Sequence, residues 1–118
     1  MPIIALYPVI ALMLAQQPAP TRSSLDFEFF QTRVQPILTA KREGHARCVS
    51  CHSSGTPMRL QPISAGSATW NEAEARKNFD VIRLRVTPGN PAKSKLLTHP
   101  LAEEAGGDSN HDGGRHWA

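Results

Sequence analysis

Both cysteines of this 118-residue chain fall inside one pentapeptide, Cys48-Val49-Ser50-Cys51-His52. The C-x-x-C-H spacing is that of covalent haem attachment. Each thiol adds across one of two vinyl groups on the same porphyrin edge, and two intervening residues let a single helical turn present both sulfurs there. His52 is then carried beneath the ring, where an imidazole nitrogen can bind iron on the proximal side. Two other readings of the same residues stay open. A thioredoxin-like dithiol wants a strand-helix-strand setting, and no such pattern surrounds Cys48. Zinc could take His45, Cys48, Cys51 and His52, although structural zinc sites usually draw their ligand pairs from two separated segments.

The rest of the composition makes such a cofactor useful. The chain holds one domain at most, and only 6% of its residues are aromatic, so large core side chains are few. Small domains supplement a thin core with a disulfide, a metal or a cofactor, and thioethers would use both cysteines here. The protein without its haem is therefore expected to be largely unfolded.

Ile3 to Ala15 is an apolar run interrupted only by Tyr7-Pro8, too short to cross a bilayer core of about 30 Å. It has the character of a secretory h-region, without a Lys or Arg before it. Residues 1–17 are read as a signal peptide or apolar leader, 18–24 as a linker with Pro18 and Pro20, and 25–118 as the haem domain. No stable transmembrane helix is expected. An extracytoplasmic location, the periplasm in a bacterium, agrees with haem attachment, which takes place outside the cytoplasm.

The formal charge is +3. The basic residues, among them Lys41-Arg42, Arg47, Arg76-Lys77 and Lys93, are not interleaved with aromatics. They read as solvated faces that can steer an acidic redox partner, and nucleic-acid binding is not expected.

Along the domain, Ser23 or Ser24 is placed to cap a helix whose apolar positions are Phe27, Phe30, Val34 and Leu38, with Pro36 kinking or restarting it. Thr69-Trp70-Asn71-Glu72 reads as a capping box opening a helix to about Val86, with Trp70, Ala73, Phe79, Ile82 and Val86 as its apolar side. Asn90-Pro91 starts a short helix around residues 92–98, and Leu96, Leu97 and Leu101 are expected to face the haem or the core. The tail from Gly106 to Trp117 surrounds His111 with glycines, which suits a tight turn or a close approach. No strand pattern is evident.

The order Val34-Gln35-Pro36-Ile37-Leu38, Cys48 to His52, Trp70 with Asn78-Phe79, Pro88-Gly89-Asn90-Pro91, Ser94-Lys95-Leu96-Leu97, Gly106-Gly107 and His111-Asp112-Gly113-Gly114 resembles small bacterial mono-haem c-type cytochromes. The resemblance covers nearly all of the chain after the leader. It implies an all-α, cytochrome c-like, loop-rich fold of three to four short helices wrapped around one covalently bound haem c. It further implies a role in electron transfer between redox partner proteins, a larger oxidoreductase among them. In relatives a further helix follows the glycine-flanked histidine. The sequence ends at Trp117-Ala118, so a haem subunit or fragment of such an oxidoreductase is a second expectation.

A second axial position on the iron sets potential and reactivity. His111 is the first candidate, because its distance along the chain and its glycines let the backbone cross a flat ring. Met58 and His99 are alternatives, followed by His116, Met13 or an open site. Six residues from His52 to Met58 reach only about 20 Å when extended, which leaves a taut loop. Asp108 and Asp112 are candidates to orient the His111 ring. No side chain need act as acid, base or nucleophile, so an electron carrier is expected and not an enzyme. A displaceable sixth ligand would instead suit a haem sensor or gas-binding domain, and metal without haem would make the chain a zinc module.

Overall fold

Apolar side chains on three short helical stretches meet in one core around which residues 25–118, those described by the computed structural model, are arranged. The expected leader, the linker, the serines Ser23 and Ser24, and Met13 lie outside the described residues. Among those described the fold is helical and has no strand; the extended pairings are two isolated bridges, Arg42 with His45 and Leu101 with Trp117. No helix among them is long and apolar enough to cross a membrane.

The first helical stretch combines α1 (Phe27–Phe29), a π-helical turn (Phe30–Val34) and α2 (Gln35–Thr39). Asp26 is its cap, accepting from the Phe29 amide at 2.6 Å, which fills the role expected of the serines. The wide turn ends where Gln35 N–H reaches back five residues to the Phe30 carbonyl. A π-turn just before Pro36 eases the clash that a proline ring makes with the carbonyl four residues earlier. Phe30 and Leu38 are buried on this stretch, and Ile37 is half exposed.

The pentapeptide forms α3 (Cys48–His52). Helical spacing of three puts Cys48 and Cys51 on one side, and Val49, only 6% exposed, anchors the opposite side in the core.

The long helix is α4 (Glu72–Ile82), extended by a 3-10 turn (Arg83–Arg85). Its cap is Asn71, not Thr69: Asn71 Oδ1 accepts from the Glu74 amide at 2.9 Å, and Glu74 Oε2 accepts from the Asn71 amide at 2.9 Å. The box is shifted two residues because the Thr69 hydroxyl and the Trp70 carbonyl both accept from buried Gln35, at 2.8 and 3.2 Å. The buried side of α4 is consequently Ala75, Asn78 and Ile82, and Ala73 is exposed, contrary to the expected stripe. Phe79 joins Phe27 and Phe30 in an aromatic trio with ring centres 5.5 to 6.3 Å apart.

After Thr87-Pro88-Gly89, a 3-10 turn (Pro91–Lys93) leads into α5 (Lys95–Thr98). Ser94, 2% exposed, separates them and ties the junction to Thr87: its hydroxyl accepts from the Thr87 amide at 2.9 Å. Leu96 packs against the core, and Leu97 is 51% exposed on the protein surface. A last 3-10 turn (Glu103–Ala105) precedes the tail.

Candidate functional site

Leu60 and Gln61 connect the end of α3 to the rest of the core. Leu60 N–H donates to the His52 carbonyl at 2.6 Å. Gln61 N–H donates to Asn78 Oδ1 at 2.7 Å, and the Gln61 carbonyl accepts from Trp70 Nε1 at 2.6 Å. The amide orientation of Asn78 follows from its partner, since only an oxygen can accept from Gln61 N–H. Its Nδ2 is left buried without a partner, as is Gln35 Oε1.

Cys48 is half-buried and Cys51 exposed, both as free thiols. Burial, the largest influence, pushes the Cys48 thiol up, opposed by its own backbone N–H and by the Arg42 guanidinium. His52 Nδ1 lies 2.9 Å from the Met58 carbonyl and 3.2 Å from Thr56 Oγ1, whose hydroxyl donates to the same carbonyl at 3.0 Å. A carbonyl can only accept, so Nδ1 carries the proton and Nε2 keeps its lone pair. Met58 thus lies on the Nδ1 side of the His52 ring, with its side chain packed against the core.

The same tautomer recurs twice. His111 Nδ1 donates to the Gly114 carbonyl at 2.6 Å, and the amide of Gly114 donates back to the His111 carbonyl at 2.9 Å. Gly114 sits at φ +78° to close this turn, and a Cβ on Gly113 would stand 3.0 Å from His111 Cε1. The His-Asp-Gly-Gly segment is therefore a self-closed unit that fixes its own imidazole. His99 Nδ1 donates to Asp108 Oδ1 at 2.7 Å, while Lys95, one turn earlier on α5, holds Oδ2 at 3.0 Å. Asp108 orients His99, then, and not His111 as expected; Asp112 is exposed. The Lys95 hydrogen bond does most to hold the Asp108 carboxyl down at about 2.

All five histidines of the chain belong to one connected set of rings. His111 is its centre: His52 stands 6.2 Å away and within 9° of parallel, His99 at 5.0 Å and His116 at 5.6 Å, both edge-on. His45 meets His116 at 5.0 Å. His116 differs in tautomer, because its Nδ1 faces Arg42 at 3.2 Å and a guanidinium can only donate. Burial, followed by the nearby His45, His111 and Arg42, holds it below the usual histidine range. A surface cleft of about 180 Å³ opens beside this set, lined by His99, Leu101, Asp108, His111, Gly114 and Arg115 among others.

The His52 and His111 rings are parallel, with centres 6.2 Å apart. Two thiols and an imidazole on one turn, with a second imidazole nearby, are the donor types that a covalently attached haem would use. By contrast, among the described residues no three His, Cys, Asp or Glu side chains converge to hold a bare metal ion.

No family, curated protein or solved structure matches the chain. The site is therefore read from its own residues. Residue types and spacing point to Cys48, Cys51, His52 and His111; they do not point to the Met58 carbonyl, whose part is played by backbone, or to Arg42, whose contacts span 74 positions. An i, i+4 pair such as Lys95 and His99 ahead of Asp108 is the one local signal that could have indicated the His99 bond.

Proposed function

We propose that the protein is an exported mono-haem c-type cytochrome of the periplasm or an equivalent compartment, carrying single electrons between partner proteins. The observation that carries this reading is the Cys48–His52 turn, with the His52 Nδ1 proton tied to a backbone carbonyl, its Nε2 left free, and the parallel His111 ring 6.2 Å away. Cys48 and Cys51 would hold haem c through thioethers, His52 from the proximal side and His111 from the distal side. When bound, the haem supplies a one-electron couple at its iron. The protein's own contribution is orientation. Val49 seats the attachment turn in the core, the Met58 carbonyl fixes the His52 ring and raises its basicity, and the closed turn at Gly114 does the same for His111.

Three observations favour His111 over the other candidates. The Met58 carbonyl is engaged by His52 Nδ1 and the Met58 side chain packs against the core. His99 meets His111 edge-on, and it is the His111 ring that lies parallel to His52. His116 presents a protonated Nε2 in its neutral form. Imidazole in place of a thioether poises the couple lower.

A second reading, a haem domain that binds a small gas at a displaceable sixth position, is favoured by the cleft beside His111. The visible spectrum of exported protein, oxidised and reduced, decides between these. Sharp reduced bands that survive acid-acetone extraction with the polypeptide support covalent haem. A low-spin spectrum indifferent to carbon monoxide supports the carrier, one that shifts supports the gas-binding domain, and a colourless protein ends both.

A further inference from the structure

Residues 108–117 form a strap that carries His111, and it is closed on the C-terminal half at both ends. Asp108 is gripped by Lys95 and His99, and its amide donates to the Thr98 carbonyl at 3.0 Å. At the other end His116 N–H donates to the Pro100 carbonyl at 2.8 Å, and the Trp117 carbonyl accepts from Ala102 at 2.8 Å. None of these bonds reaches the half of the chain that holds Cys48 and His52. Among the described residues, the hydrogen bonds that do so come from Arg42. One terminal nitrogen of its guanidinium donates to the His116 carbonyl at 2.8 Å and stands 3.2 Å from His116 Nδ1, and the guanidinium carbon lies 4.2 Å from the centre of the Trp117 ring.

Arg42 is itself well placed for this. It opens a tight turn in which His45 N–H donates to the Arg42 carbonyl at 3.2 Å and Lys41 Nζ donates to the His45 carbonyl at 3.2 Å. Gly44 at φ +72° closes that turn, and the first attachment cysteine follows His45 by three residues. A planar guanidinium that donates in its plane and stacks on an indole face does two things a lysine cannot do together.

We infer that Arg42 is a positioning residue, a latch that docks the strap through His116 and Trp117 and thereby holds His111 opposite His52. The inference rests on the haem reading and assigns the control of the sixth position to a side chain outside the ligand set. Releasing the latch leaves attachment and His52 untouched and frees His111 to leave.

The test uses the full chain matured with haem, and reads the low-spin fraction and the rate of carbon monoxide binding to the reduced protein. R42Q is expected to bind carbon monoxide about tenfold faster or more than the parent, with a visible high-spin fraction. R42K, which keeps a cationic donor to the His116 carbonyl without the stacking, falls between the two. W117A removes the stacking partner from the other side, and should also speed binding if R42Q does not accumulate as folded protein. Parental rates and spectra in R42Q, or in W117A where that variant stands in, overturn the latch. A parent protein with no covalent haem overturns the function on which it rests, a different outcome from a haem protein indifferent to Arg42.

Discussion

The ring of His111 stands 6.2 Å from that of His52 and within 9° of parallel, although 59 positions separate the two residues in the sequence. Each imidazole donates its Nδ1 proton to a backbone carbonyl. Orientation and tautomer are thus set by main chain on both sides of the gap, which side-chain substitutions nearby leave in place.

On the proposed haem reading, replacing His111 by alanine is expected to convert the reduced protein from low-spin to a form that binds carbon monoxide readily. Met58→Leu should leave the spectrum unchanged, because the Met58 contribution is its carbonyl. Parallel spectra of the two variants check this; a loss of the low-spin bands in Met58→Leu alone would reverse the assignment.

Gly107 is where added bulk is least tolerable. A Cβ there would collide with the Leu101 carbonyl and lie 2.8 Å from the carbonyl oxygen of Ala102, so Gly107→Ala must push the strap off its support. The expected cost is about 2–4 kcal/mol of stability in denaturant unfolding. Gly66→Ala meets open space, though at φ +80°, and should cost about 1–2 kcal/mol.

Asn78→Ala is expected to destabilise the fold by about 2–4 kcal/mol. The residue is fully buried, and its Oδ1 is the acceptor for Gln61 N–H, so truncation leaves a buried donor unpaired and a cavity beside it. Equilibrium unfolding of the purified variant measures the loss.

The Asp108 carboxyl, held at about 2 chiefly by Lys95, titrates below its ordinary value of 3.8. For a depressed carboxylate the stabilisation is complete above the unfolded value and is lost as pH falls through the folded one. Melting temperatures of the parent should therefore drop between about pH 4 and pH 2, in excess of the general acid effect. Asp108→Asn should start from a lower melting temperature at neutral pH and lose less over that interval; equal slopes would mean that the Lys95 and His99 bonds do not persist in solution.

How much of this was readable from residue types differs from element to element. The α4 start was legible as a cap followed by an acidic residue, but the position was off by two because Gln35, more than 30 residues upstream, occupies Thr69 and Trp70. The α4 face was misassigned at Ala73 for a related reason: the core reaches the helix through Asn78, a polar residue that a search for apolar spacing passes over. Around the candidate site, local signals carried the attachment turn and the glycines of the His111 loop. Contacts made by backbone carbonyls, and those of Arg42, depend on where distant segments meet, and single-residue patterns do not encode that.

The closed turn from His111 to Gly114 has a kinetic consequence. Because the ring is oriented by its own four residues, a strap that lifts away takes with it an imidazole already in the metal-binding tautomer, tethered by a few residues to anchors at Asp108 and His116. In the proposed haem protein its effective concentration at the iron would stay on the order of millimolar or higher. A diffusing ligand would then compete against a histidine that stays in the neighbourhood, so the closed state would be refilled quickly after each opening and only a strong, small ligand would hold it open.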